Sequence, residues 1–117
     1  METEAALTAL AALSQRTRLD VFRFLVETGP GGAAVGSIAE ALNVAAPTLS
    51  FHMKELSHAG LVISQQEGRF IRCTANFAAM NDLVAYLTEN CCRGQPELCA
   101  PSCAPTKSSP RRKKVPA

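Results

Sequence analysis

Cys91, Cys92, Cys99 and Cys103 place four thiols within thirteen residues, where a helical pattern runs out and a proline-punctuated tail begins. Thiolate sulfur selects soft ions such as zinc, copper(I) and, by the same softness, trivalent arsenic or antimony, whereas hard cations require oxygen. The cluster is therefore a ligand set for a thiophilic ion. What such an ion would control has to be carried by the elements upstream. The fifth cysteine, Cys73, falls inside a strand-like run and is expected to act as a small buried hydrophobe.

With 117 residues the chain has room for one modest core and a tail. No apolar run is long enough to span a membrane, and Met1 is followed by Glu2 and Glu4 rather than by a basic segment and an apolar stretch. A cytoplasmic chain with no membrane partner is expected. That compartment keeps thiols reduced, and five is an odd number, so the cysteines point to ligation or redox sensing more than to a disulfide framework. The formal charge of +2 hides an asymmetry. Residues 1 to 90 carry six basic residues (Arg16, Arg18, Arg23, Lys54, Arg69, Arg72) against nine acidic ones, and the remainder carries six against Glu97 alone. A body with a negative sum that binds nucleic acid must gather its few cations on one face, and Lys54, Arg69 and Arg72 are the candidates.

The elements that must position these groups are legible from hydrophobic period. Leu7, Leu10 and Leu13 mark an alanine-rich first helix, and Leu19, Phe22, Leu25 and Val26 a second that stops before Gly29-Pro30-Gly31-Gly32. A short helix with Val35, Ile38, Ala39 and Leu42 follows, closed by Asn43, a residue that tolerates the left-handed conformation of a helix end. Pro47 suits the first turn of the next helix, whose core face is Leu49, Met53 and Leu56. After Gly60 the period changes to two: Leu61 and Ile63, then Phe70 to Thr74, read as two strands joined through Glu67-Gly68. The spacing of Met80, Leu83, Val84, Leu87 and Cys91 predicts a last helix from about Phe77 to Cys91.

Two short helices separated by a tight turn and followed by a hairpin make a winged helix-turn-helix, with the second helix entering the major groove of DNA. The fold class expected is mainly α (α+β), with about five helices, a two-stranded wing, and a homodimer joined through the first and last helices. Turning ~100° per residue from Leu49 places Pro47, Ser50, Phe51, Lys54 and His58 away from the core. The expected DNA-binding set is Pro47, Thr48, Ser50, Phe51, His52 and Lys54 on the helix, with Arg69 and Arg72 on the wing. Residues 1–92 are read as the DNA-binding and dimerisation domain, and 93–117 as a tail carrying ligand cysteines and the basic run Arg111-Arg-Lys-Lys114. Catalysis finds little support, since both histidines sit on the recognition helix and no phosphate loop or acid pair is present.

Leu13-Ser-Gln-Arg-Thr-Arg-Leu19, Ile38-Ala-Glu-Ala-Leu42, Ser50-Phe-His-Met-Lys-Glu-Leu56, His58-Ala-Gly-Leu-Val62 and Glu67-Gly-Arg69 together resemble the bacterial ArsR/SmtB repressors. The resemblance spans most of residues 7 to 90. It implies a dimeric repressor that sits on double-stranded operator DNA and leaves when an inducer binds, without an organic cofactor. Family members differ in their inducer site. The best-known arsenic site places a cysteine pair in the first helix of the helix-turn-helix, where this chain has Ser37-Ile-Ala-Glu-Ala-Leu42 and no thiol. The zinc, cobalt and nickel sites use Asp, His and Glu on the last helix, and this chain has no histidine there. Asn90-Cys91-Cys92 with Cys99 is instead similar to an arsenic-responsive subgroup. That implies trivalent arsenic or antimony held by Cys91, Cys92 and Cys99, with Cys103 as a possible substitute. The alternatives are a zinc, cadmium or lead sensor and a thiol-redox sensor of the same family.

Overall fold

The computed structural model describes residues 1–94. Within them α1 (Thr3–Leu13) and α2 (Arg16–Thr28) are joined by Ser14 and Gln15, whose side chain accepts the Arg18 backbone N–H at 2.9 Å and so caps α2. The first helix turns its small side inward. Ala6, Ala9 and Ala12 are buried, while Leu7 and Leu10 remain 53% and 40% exposed. In α2 the buried residues are Val21, Phe22 and Leu25, and Leu19 faces out.

Gly29 (φ 94) ends α2, and a two-residue strand, β1 (Ala33–Ala34), leads directly into α3 (Val35–Leu42). Asn43 closes α3 at φ 55, ψ 50, with its own N–H on Glu40 O and the Val44 N–H on Ala39 O. This is the left-handed helix end expected of it. Three residues later α4 (Ala46–His58) begins, with Pro47 in its first turn, where a missing N–H costs nothing. Leu49, Met53 and Leu56 are buried beneath it, in a core shared with Val21, Leu25 and Ile38.

The wing is a hairpin of β2 (Val62–Glu67) and β3 (Phe70–Ala75), in register from Val62↔Ala75 to Glu67↔Phe70. Its two-residue tip is Gly68-Arg69, one position beyond the expected turn. Gly68 has φ 62, as two-residue hairpin turns require at their first position. β1 pairs with β3 through Ala33↔Cys73, so the sheet has three strands in the order β1-β3-β2 rather than two. Two residues are too few for a period to reveal. Gly32, at φ 71, passes so close to β3 that a Cβ there would run into the Cys73 carbonyl and the Thr74 hydroxyl.

Asn76 starts α5 (Phe77–Leu87): its Oδ1 accepts the Ala79 N–H at 3.1 Å and its Nδ2 donates to Gly60 O at 2.9 Å. The helix stops at Leu87 instead of continuing to Cys91. Asn90 adopts φ 56, which a right-handed helix cannot contain, and a short α6 (Cys91–Gly94) follows with Cys92 and Arg93 also left-handed. The chain divides into two units, Met1–Tyr86 and a second that begins at Leu87. Among the described residues no helix is long and apolar enough to cross a membrane.

The close approach at Gly32 gives a test of the β1 pairing. Gly32→Ala should lower stability by about 3 kcal/mol in urea unfolding, from positive φ and collision together, whereas Gly68→Ala, whose Cβ meets nothing within 4 Å, should cost about 1 kcal/mol.

Candidate nucleic-acid interface and thiol pair

Because Leu49, Met53 and Leu56 point inward, the opposite side of α4 points out. Pro47, Thr48, Ser50, Phe51, Lys54 and His58 are all exposed. Phe51 leaves 56% of its surface in solvent and meets the His52 ring edge-on, at 5.4 Å between centroids. It does not fold back on the domain. Ala45, at the N-cap of α4, has no side chain to offer the first N–H groups, which remain open to a phosphate oxygen.

His52 does not belong to this face. Three residues beyond Leu49 is a rotation of about 300°, which returns the side chain to within about 60° of the core direction. It is 8% exposed, and its Nδ1 has no hydrogen-bond partner among the described residues. Burial, followed by the nearby Arg18 charge, holds its pKa below the ordinary histidine value against an opposing pull from Glu55. The neutral imidazole is part of the seat of α4 and not a base reader. Leaving its nitrogen unpaired costs about 1 to 3 kcal/mol, which the surrounding apolar packing must offset.

Charge is distributed sparingly. Of the six basic residues among residues 1 to 90, Arg16 pairs with Asp20 and Arg23 with Glu27, each at 3.9 Å, and the Arg18 Nε donates to Ala12 O at 2.8 Å. Arg72, expected to reach DNA, is engaged within the protein: its Nε donates to Glu67 Oε1 at 2.9 Å and its Nη1 to Gly31 O at 3.2 Å. It braces the wing against the loop before β1. That leaves Lys54 on α4 and Arg69 at the wing tip as the cations of that region with no hydrogen bond or ion pair among the described residues.

The wing is tied to α4 at its base. Ser57 Oγ lies 3.4 Å from Ser64 Oγ, which in turn lies 3.6 Å from the Cys73 sulfur. Cys73 is fully buried, and burial pushes its thiol pKa up despite the Ser64 hydrogen bond. It is the small hydrophobe expected and not a ligand. Phe70, read from sequence only as part of a strand, proves to be the most exposed large apolar residue among those described. Alternation along the hairpin carried that signal, since burying Cys73 and Ala75 leaves the even-numbered neighbours outside.

In the second unit the sulfurs of Cys91 and Cys92 lie 3.5 Å apart, Cys91 half-buried and Cys92 exposed. The left-handed backbone at Asn90, Cys92 and Arg93 makes the tight turn that brings adjacent side chains together. Two bonds of about 2.3 Å to one shared ion would span such a separation once both sulfurs are reduced to thiolates. Cys92 is disulfide-bonded, and Cys73 carries a free thiol. Among the described residues no three His, Cys, Asp or Glu side chains gather to hold an ion. Cys99 and Cys103, and the basic run Arg111-Arg-Lys-Lys114, lie outside the described residues.

A helix-turn-helix domain model matches residues 13–65, which contain both helices of the motif and the start of the wing. Comparison with curated proteins gives no match. Solved structures give several. An ArsR-like transcriptional regulator from Rhodococcus sp. RHA1 is 28% identical, with 81% of this chain and 87% of that one covered and a TM-score of 0.66. HlyU from Vibrio cholerae is 26% identical over 74% of this chain and 97% of its own, at a TM-score of 0.59. The homodimeric winged helix-turn-helix DNA-binding domain of a possible ArsR-family regulator from Mycobacterium bovis is 24% identical, covering 74% and 81%, with a TM-score of 0.59. Fold and interface thus define a winged helix-turn-helix transcriptional regulator, a DNA-binding class and not an enzyme. The chain is similar to ArsR-family transcriptional regulators.

The charge distribution predicts a division among the basic residues. Lys54→Ala and Arg69→Ala should each weaken binding to any duplex and flatten the log affinity against log salt plot by about one unit. Arg72→Ala should leave that slope nearly unchanged and lower the urea midpoint instead, because it removes the brace at Glu67 and Gly31.

Proposed function

We propose that the protein is a transcriptional repressor that binds operator DNA as a homodimer and leaves it when trivalent arsenic or antimony binds Cys91, Cys92 and Cys99. The observation that carries the inducer half of this reading is the 3.5 Å approach of the Cys91 and Cys92 sulfurs. Trivalent arsenic bonds three thiolates and reserves one side for its lone pair, so Cys91 and Cys92, once reduced, need a single further thiol. Cys99 supplies it, with Cys103 a possible substitute. Ligation requires thiolates, which a reducing cytoplasm maintains.

The dimer half rests on exposed apolar surface. Leu7 and Leu10 on α1, and Val84 on α5, are between 40% and 53% exposed, and the hydroxyls of Thr3 and Tyr86, 2.6 Å apart, tie these two helices together. The described homodimer of the Mycobacterium bovis domain supports the same state here. A two-fold pair presents two copies of α4 to half-sites of a palindromic operator, roughly 34 Å apart.

A second reading is favoured by the disulfide at Cys92: oxidation of the thiols, rather than ion binding, would release the DNA. One titration separates the two. With the operator labelled for anisotropy and reductant present, arsenite should release the wild type, while Cys91→Ser and Cys92→Ser bind DNA normally and stay bound. Cys99→Ser should behave as they do, and Cys73→Ala and Cys103→Ser should respond like the wild type. Release of Cys91→Ser at the wild-type arsenite concentration would remove the assignment. Release by peroxide alone, reversed by a thiol reductant, would establish the redox reading.

A further inference from the structure

Phe70 presents 66% of its side chain to solvent. The hairpin register explains why. Val62, Ser64 and Gln66 share one face with Ala75, Cys73 and Ile71, the face that is buried at Val62, Cys73 and Ala75. Phe70 lies on the other face, opposite Glu67, on the last rung before the Gly68-Arg69 tip. Its neighbours there, Gln65, Glu67 and Arg72, are polar, and Ile63 lies four positions from Glu67, about 13 Å along the strand. Ile71, 43% exposed, points to the opposite face, so on its own face the ring is a single apolar point and not part of a patch of the kind that protein partners bury.

Charges around the ring are arranged to tolerate DNA. Glu67 alone would repel phosphate, but Arg72 holds its carboxylate at 2.9 Å and is itself anchored on Gly31 O. The tip therefore carries one unopposed charge, that of Arg69, beside an exposed phenyl ring. A cation on a hairpin tip with an apolar wedge beside it is a means by which proteins enter a minor groove: the cation follows the negative potential, and the ring slips into a base step and opens it.

We infer that Phe70 is a specificity-determining residue, its ring wedged into a minor-groove base step beside the segment read by α4. This rests on the DNA-binding reading above. Opening a step is least costly at flexible pyrimidine–purine steps, so the strongest sites carry TA or CA/TG where the wing lands, at positions with no hydrogen bond to the protein.

The test begins with the duplexes that the full-length wild-type protein selects from a random pool, with 2-aminopurine scanned through their flanks. Wild type and Phe70→Leu, which keeps a wedge, should raise the fluorescence at one flanking step. Phe70→Ala should not, and it should bind the selected duplex roughly tenfold more weakly with an unchanged salt slope, because no charge is lost. Replacing the flexible step by a stiff A-tract should weaken the wild type and leave Phe70→Ala unaffected. A Phe70→Ala protein that matches the wild type in affinity and fluorescence would overturn the inference while leaving DNA binding intact. So would a Phe70→Ala protein whose only change is a smaller sedimenting species, since the ring would then be covered by a second copy of the chain. Failure of the wild type to select any duplex would sink the DNA-binding reading and the wedge together.

Discussion

The rotation of α4 about its axis decides what the protein shows to DNA, and burial of Leu49, Met53 and Leu56 sets that rotation. Each of the two leucines, fully buried, contributes about 1.5 to 3 kcal/mol relative to exposure. Turning the helix by one residue, ~100°, would bring Lys54 toward the core and place an unpaired ammonium there at a cost of several kcal/mol. The apolar face therefore positions Ser50, Phe51 and Lys54 without any of them contributing to the choice. His52 is drawn inward by the same constraint, and its unpaired Nδ1 is a cost the packing tolerates.

The wing depends on that seat in turn. Its base is linked to α4 through Ser57 and Ser64, its β3 strand covers the core with Cys73 and Ala75, and its outer end is braced by Arg72. With its other arginines engaged within the protein, the body of the domain approaches DNA with few free cations. Screening beyond a Debye length of about 8 Å then leaves affinity to contacts at close range, on α4 and at the wing tip. Fit and placement must supply what net charge does not.

Much of this was legible in the sequence because it rests on period and on residues with special backbone preferences. Asn43 announced its left-handed cap, Pro47 its first turn, and the change from a helical period to two announced the wing. Other features left no such mark. β1 is two alanines long, and its pairing is enforced by the close approach at Gly32, which a sequence does not display. The early end of α5 reflects left-handed Asn90, whereas the apolar spacing ran on to Cys91. On α1 the leucines looked like a core stripe, yet the alanines are buried, because small side chains let the helix pack closely and leave the large ones outside. His52 and Arg72 were misplaced for a shared reason: residue type suggests contact with DNA, but only the three-dimensional neighbourhood shows that a polar group is already committed.

The proposed regulation joins two sites that lie in separate units of the chain, and its content is a free energy and not a contact. An inducer releases DNA only if it binds the free protein more tightly than the DNA-bound protein, and linkage requires DNA to weaken inducer binding by the same factor. The most direct measurement is a calorimetric titration of arsenite into the reduced, full-length protein, alone and saturated with operator. The account predicts an affinity lower by roughly 5- to 150-fold in the presence of operator, equal to the factor by which arsenite weakens operator binding. Equal arsenite affinities with and without operator would contradict it, however tightly Cys91 and Cys92 hold the ion.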